Sequence, residues 1–380
     1  MNKVKVAGIG ITAFGKHENV SLKTLLMDAC LAALKEANFP KIDAVYIGNF
    51  MSGQLGNQEI LGAIVANELG LGPVPTAKVE GACASGGIAF RQAYSMIKSG
   101  EYEHVLVAGV EKMKDSSTEI TTRAINTAMD NDSNEKHAGL TFPGFFGTVA
   151  NRYFYETGAS KKHLAMVALK NREYALNNPI SQFKKPTTIE EIMSARMITE
   201  PLGLFDCSPT TDGAAAILLS KGEDGVIVRA SAQASGTTQM QEADDLLSLP
   251  AIGESARKAY EIAGLGPNDI DVVELHDCFS MTEILAIEEL GFFEKGKGWE
   301  AIQQELTKHG GKVPVNTSGG LLSKGHPIGA TGLAQIYQIV SQLRGTSCNQ
   351  VDGARIGLAQ NLGGTGAYST VHIFEGVNLL

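Results

Sequence analysis

A cysteine stands among small residues in the stretch GACASGG, positions 81–87, where a strand-like segment gives way to a helical one. At such a junction unpaired backbone N–H groups and the positive end of the helix dipole favour a thiolate, lowering the roughly 8.5 of a free thiol. Ala82, Ala84, Ser85, Gly86 and Gly87 leave room for substrate and for a backbone N–H aimed at a developing oxyanion. Cys83 is therefore a candidate nucleophile; the alternative is a buried structural thiol. A second candidate is His326 in SKGHPIGATG, where Gly325, Pro327 and Gly329 fix a turn before another helical stretch. A histidine held there could serve as general base to a thiol.

Two further segments belong with these. In ELHDCF, His276 and Cys278 are two residues apart at the end of an expected strand, so strand geometry places both side chains on one face. Strand C-termini in α/β sheets commonly border ligands. A zinc pair or a core histidine is the competing reading, and no other Cys or His pair has ligand spacing. NLGGTG, residues 361–366, is a Gly-rich turn that either supplies N–H donors or merely closes a hairpin.

Around these residues the chain alternates strand and helix. VKVAGIGI, IDAVYIGNF, AKVEGAC and HVLVAGVEKM read as strands, separated by helical periodicity at 22–39 (with Ser21 as N-cap), 57–71 and 85–100. The alternation predicts an α/β domain with mainly parallel strands. From about residue 114 to 201 it loosens into a polar loop and an aromatic cluster, Phe142, Phe145, Phe146, Tyr153 and Phe154, expected as an inserted lid. The first half closes near Gly222, giving halves 1–222 and 223–380. GGIAFRQAYSMIKSG in one and TGLAQIYQIVSQLRG in the other repeat one device: a small-residue turn, an amphipathic helix, a glycine, then a hydrophobic strand. If the halves pack about a pseudo-dyad, Cys83 and His326 meet at the centre.

Composition narrows the classes. The 380 residues are 43% hydrophobic and 19% charged, as in ordinary globular proteins. A formal charge of −9 gives no general attraction to a phosphate backbone, so nucleic acid is not an expected partner. With no long apolar run and no leader-like start, a cytoplasmic protein without a membrane span is expected. Cys30, Cys83, Cys207, Cys278 and Cys348 are scattered and odd in number, reading as free thiols. GIGITAFG misses the dinucleotide spacing, and Phe14 would crowd a pyrophosphate.

GACASGG, HDCF, SKGHPIGATG and NLGGTGA, in this order and spacing, resemble the thiolase superfamily over essentially the whole chain. The likeness is to the sterol carrier protein type and its bacterial and archaeal relatives, since HDCF stands where other thiolases have Asn-Glu-Ala-Phe. Those enzymes also carry a C-terminal Cys-x-Gly; here Asn361 takes that cysteine's place, and the resemblance makes Cys278 the replacement acid/base. It implies a thiolase fold of two pseudo-repeated halves, each a mixed sheet with helices, layered α-β-α-β-α, plus the lid. It further implies acyl-CoA and CoA as substrates, no metal and no redox cofactor. A homodimer and a small zinc-ribbon/OB-like partner subunit are expected from it. Catalysis is then assigned to Cys83, His276, Cys278 and His326. The oxyanion groups are the N–H of Cys83 and Gly363 with His276 and His326. Phe142, Phe145 and Phe146 are expected to contact the acyl group, or else to anchor the lid. A ketosynthase-like decarboxylating enzyme and a silent acyl-CoA-binding scaffold are the rival readings.

Overall fold

The computed structural model describes residues 2–376. The first half runs β1 (Val4–Ile11), α1 (Leu22–Glu36), β2 (Ala44–Gly48), α2 (Ser52–Gly56), α3 (Leu61–Glu68), β3 (Thr76–Val79), α4 (Ser85–Ser99) and β4 (His104–Glu111). Ser21 caps α1 by accepting the Thr24 N–H at 3.0 Å. The insertion holds α5 (Thr118–Ile125), α6 (Asn134–His137), α7 (Phe142–Thr157), α8 (Lys161–Asn177), α9 (Ile189–Ser194) and the short strands β5 (Met197–Thr199) and β6 (Leu202–Gly203). β7 (Gly213–Lys221) returns to the sheet.

The second half contributes β8 (Val226–Ser235), α10 (Pro250–Ala263), β9 (Val272–Glu274), α11 (Ser280–Glu289), α12 (Gly298–Gln303), α13 (Thr331–Leu343), β10 (Ile356–Gly363) and β11 (Tyr368–Gly376). Nine strands form one ladder in the order β3-β2-β4-β7-β1-β8-β11-β10-β9. Within this ladder β1 and β8 join the halves through two residue pairs, Lys5 with Ile227 and Val6 with Val226. β2 pairs parallel with β3 and β4, and β9 with β10, whereas the other neighbours are antiparallel. The expectation of mainly parallel strands is therefore corrected. Strand direction follows from where a connection re-enters the sheet, and β7 returns after the whole insertion.

α4 and α13 pack on each other between the two parts of the sheet, with α1 outside the first and α10 outside the second. This is the five-layered order. Every residue of α13 except Tyr337 is buried, so the polar side of this amphipathic helix packs inside the protein rather than against solvent. Two of its glutamines donate internally, Gln335 to Gln360 O at 2.8 Å and Gln342 to Thr317 Oγ1 at 2.9 Å.

The insertion is mostly helical rather than a loose lid. Phe146 is fully buried, its ring 4.8 Å from that of Phe279, and Phe145 packs against Phe146 at 5.0 Å. These contacts anchor α7 to the second half's core, which is the larger hydrophobic cluster. No helix among the described residues is long and apolar enough to cross a membrane.

Candidate active site

Cys83 lies in a single 3-10 turn, Ala82–Ala84, directly ahead of α4. Ala82 adopts φ +50°, a left-handed conformation that costs an L-residue roughly 1–2 kcal/mol. Local bonds hold it: the Ala82 N–H donates to Glu80 Oε1 at 2.6 Å, and Ser85 Oγ donates to Ala82 O at 2.6 Å. The bend points the sulfur into a cavity of about 190 Å³ and brings the backbone N–H of Gly364, and that of Cys83 itself, onto it. The N–H that reaches the sulfur from this turn is that of Gly364, next to the expected oxyanion donor Gly363. Gly363 ends β10 opposite Tyr368, packed so tightly that an added Cβ would strike Gly81 O, whereas Gly364 turns out of the strand at φ +63°.

His326 and His276 reach the same point from the second half. The Cys83 Sγ and one ring nitrogen from each histidine all lie within 4.8 Å of one another. The imidazoles stand edge to face, centroids 5.1 Å apart at 84°. Their outer nitrogens have different partners. Thr331 Oγ1 donates to Pro327 O at 3.1 Å, which leaves it to accept from His326 Nδ1–H at 2.7 Å. The proton of His326 is thus on Nδ1, and Nε2 offers a lone pair. Asn361 Nδ2 sits 3.0 Å from His276 Nδ1 and can only donate, so His276 carries its proton on Nε2. One ring is set to take a proton and the other to give a hydrogen bond.

The expected strand under His276 and Cys278 is shorter than the sequence suggests: β9 stops at Glu274, and 275–279 is irregular. Tertiary bonds, not strand pleating, set both residues: Cys278 lines the cavity, and His276 comes within 4.8 Å of Cys83 Sγ. Asp277 between them accepts the Leu321 N–H at 2.7 Å, the Leu322 N–H at 3.3 Å and Asn171 Nδ2 at 2.8 Å. Glu283, beneath it, is paired with Lys170 and accepts from Asn316 Nδ2 at 2.9 Å. Lys170 and Asn171 come from α8, so the insertion braces the loop that carries Cys278. Burial, and then the nearby Glu283, hold Asp277 well above the usual carboxylate range.

Burial also dominates the reactive groups. It pushes the Cys83 thiol up to about 12, with the Glu111 charge adding to the rise and the Gly364 and Cys83 N–H groups opposing it. The expected low thiol pKa is thus corrected: desolvation outweighs the helix start. His326 is pushed down to about 3 by burial, and His276 lies well below its ordinary value through burial and then His326. Cys278 is held well above its usual value by burial and then by Cys83, and both cysteines line the same cavity. The resting site is therefore a neutral thiol–imidazole pair.

The cavity wall is formed largely by Phe50, Met113, Ile125, Phe142, Phe279 and Ile328, with Cys278 and Cys207 on the same wall. Phe142 is where the sequence expects a substrate contact. Phe145 and Phe146 are not; both are absorbed in core packing, which corrects that part of the reading. Phe50, Met113 and Ile125 lie in segments without a chemical motif. Cys83, His276 and His326 are also close enough to grip a metal ion, but ligation through His276 Nε2 would require moving its proton to Nδ1 and giving up the Asn361 bond.

A two-half α/β fold with a cysteine at one central helix start and a histidine ahead of the other is the thiolase arrangement. Residues 4–223 match the family described as Thiolase, N-terminal domain, and residues 232–376 match Thiolase C-terminal domain-like. The chain belongs to the thiolase family. It is 44% identical to acetyl-CoA acetyltransferase of Methanothermobacter thermautotrophicus, over 99% of this chain and 100% of that one. It is 36% identical to benzoylsuccinyl-CoA thiolase subunit BbsB of Thauera aromatica, over 93% of this chain and 91% of the other. Among solved structures, the Ltp2-ChsH2(DUF35) aldolase superposes with a TM-score of 0.85 at 26% identity, covering 98% of each chain.

Proposed function

We propose that the protein cleaves 3-ketoacyl-CoA with CoA, and catalyses the reverse condensation, through an acyl-enzyme on Cys83. The supporting observation is the meeting of the Cys83 sulfur with two imidazoles of opposite tautomer within 4.8 Å. As Cys83 attacks the 3-keto carbon, its thiol proton passes to His326 Nε2. The tetrahedral oxygen takes the N–H groups of Cys83 and Gly364. Collapse breaks the C2–C3 bond, the departing enolate oxygen accepts from His276 Nε2–H, and the Cys278 thiol protonates C2. CoA then gives its thiol proton to the Cys278 thiolate and takes the acyl group, while Cys83 regains its proton from His326. Protons and charge balance over the cycle.

The same Cys-His-His set suits a decarboxylating condensation, which release of carbon dioxide from malonyl-CoA would reveal; Cys278 on the cavity wall favours thiolysis. A silent acyl-CoA-binding scaffold has no use for that thiol. The relative named as a benzoylsuccinyl-CoA thiolase supports acyl groups larger than acetyl. The neighbour named with a DUF35 component supports a partner subunit; a homodimer acting in the cytoplasm belongs to the same proposal. The test is to incubate the protein with acetoacetyl-CoA and CoA, follow acetyl-CoA formation, and weigh the intact protein for an acetyl group on Cys83. No acetyl-CoA and no mass increase would end the reading.

A further inference from the structure

We propose that Glu111 is a positioning residue for acyl transfer: its buried carboxylate clips the His326 turn of the second half onto the first half, and so fixes His326 against Cys83. The inference rests on the thiolase reading of the site. Glu111 ends β4, is 1% exposed and has no cationic partner among its bonds. Oε1 accepts from Asn49 Nδ2 and the Met51 N–H, both at 3.0 Å. Oε2 accepts from the Phe50 N–H at 3.1 Å and from the Gly329 N–H at 3.0 Å. The first three donors belong to the loop after β2, and the fourth to the His326–Gly329 turn.

The backbone around this clip leaves no side-chain room. A Cβ on Gly329 would lie 2.7 Å from Gly48 O and 2.8 Å from Val110 O; one on Gly109 would collide with Gly329 O, and one on Gly86 would meet it at 2.9 Å. Gly48 and Gly109 sit at or near the ends of neighbouring parallel strands, and Gly86 in the first turn of α4. The turn holding His326 is thus pressed into a glycine-lined notch at the foot of the nucleophile's helix, and Glu111 is the polar clasp. Phe50 and Ile328, on either side of the clasp, also line the cavity.

Four donors converge on an acceptor-only group. In Glu111→Gln the new NH2 must face two N–H donors whichever way the amide is turned, so the clasp opens without loss of volume. A displacement of about 1 Å at a reacting pair costs on the order of 10²-fold in rate. The expected result for Glu111→Gln is a kcat for acetoacetyl-CoA thiolysis lowered ~10- to 100-fold with KM within about twofold. Alkylation of Cys83 by iodoacetamide should not slow, since the thiol stays in place and a neighbouring negative charge is gone. Gly329→Ala, which keeps the carboxylate but fills the notch, should show the same split and decides the matter if Glu111→Gln fails to fold. An unchanged kcat in the variants overturns the proposal. So does a parallel fall of kcat and alkylation with the folded fraction, the mark of a purely structural role. Wild-type protein without thiolysis would instead overturn the thiolase reading itself.

Discussion

Replacing Thr331 by Val removes one oxygen from the site and keeps the side chain's shape. Thr331 is 2% exposed, accepts from His326 Nδ1–H at 2.7 Å and donates to Pro327 O at 3.1 Å. In Thr331→Val the His326 Nδ1–H is left buried without an acceptor, a penalty of about 1–3 kcal/mol. Moving the proton to Nε2 relieves that penalty, and the ring then presents a donor to the Cys83 thiol instead of a lone pair. The productive tautomer therefore falls by ~5- to 150-fold at 1.36 kcal/mol per factor of ten. The assay is steady-state thiolysis of acetoacetyl-CoA, followed as loss of substrate enolate absorbance, with thermal melting run in parallel. We expect kcat to drop by that factor with KM nearly unchanged, and Thr331→Ser, which restores the hydroxyl, to recover most of the loss. A Val variant within twofold of wild-type kcat would refute the claim that this hydroxyl sets the base.

Cys278→Ala should still form an acetyl-enzyme from acetyl-CoA, yet exchange methyl hydrogens of acetyl-CoA with deuterium ~10²-fold more slowly; unchanged exchange places the acid/base elsewhere. Because burial pushes Cys83 to about 12, its thiolate fraction below that value grows tenfold per pH unit. Iodoacetamide inactivation should accordingly climb without a plateau from about pH 7 to 9, and a plateau below pH 8 would show a preformed ion pair with His326. No Lys or Arg lines the cavity among the described residues, so an acyl chain ending in a carboxylate must be desolvated without a counter-charge. A neutral 3-ketoacyl-CoA should outrun its terminal-carboxylate analogue of equal length by ~10²-fold in kcat/KM; comparable values would reveal a cation reaching the bound chain.

Much of this was legible in the residues. The small-residue turns before α4 and α13 announced two equivalent helix starts, since close packing of backbone on backbone tolerates only glycine and alanine there. Cys83 and His326 were readable for the same reason, as reactive groups lodged among residues too small to hide them. His276 and Cys278 were found through an expected strand that is shorter than supposed. Asn361 stood out only as a departure from other thiolases, and its bond to His276 Nδ1 was not readable, because the two residues are 85 positions apart. Glu111 gave no signal, for one buried carboxylate at a strand end looks like any other acidic residue until its four donors converge. Phe145 and Phe146 misled because aromatic rings in a loosely patterned segment look alike whether they face a ligand or a core.

Local chemistry along the chain therefore marked a candidate nucleophile, a candidate base and the two-half architecture, since small-residue turns, helix periodicity and reactive side chains are properties of short stretches, while the reaction class came from the resemblance of four motifs to thiolases. Only the tertiary structure decided the proton on each imidazole, the approach of the Gly364 N–H to the sulfur and the rise of the Cys83 pKa. It alone also decided the braces from α8 and Glu111. Those depend on burial and on hydrogen bonds between segments far apart in the chain, whose distances and desolvation exist only once the halves have closed on each other.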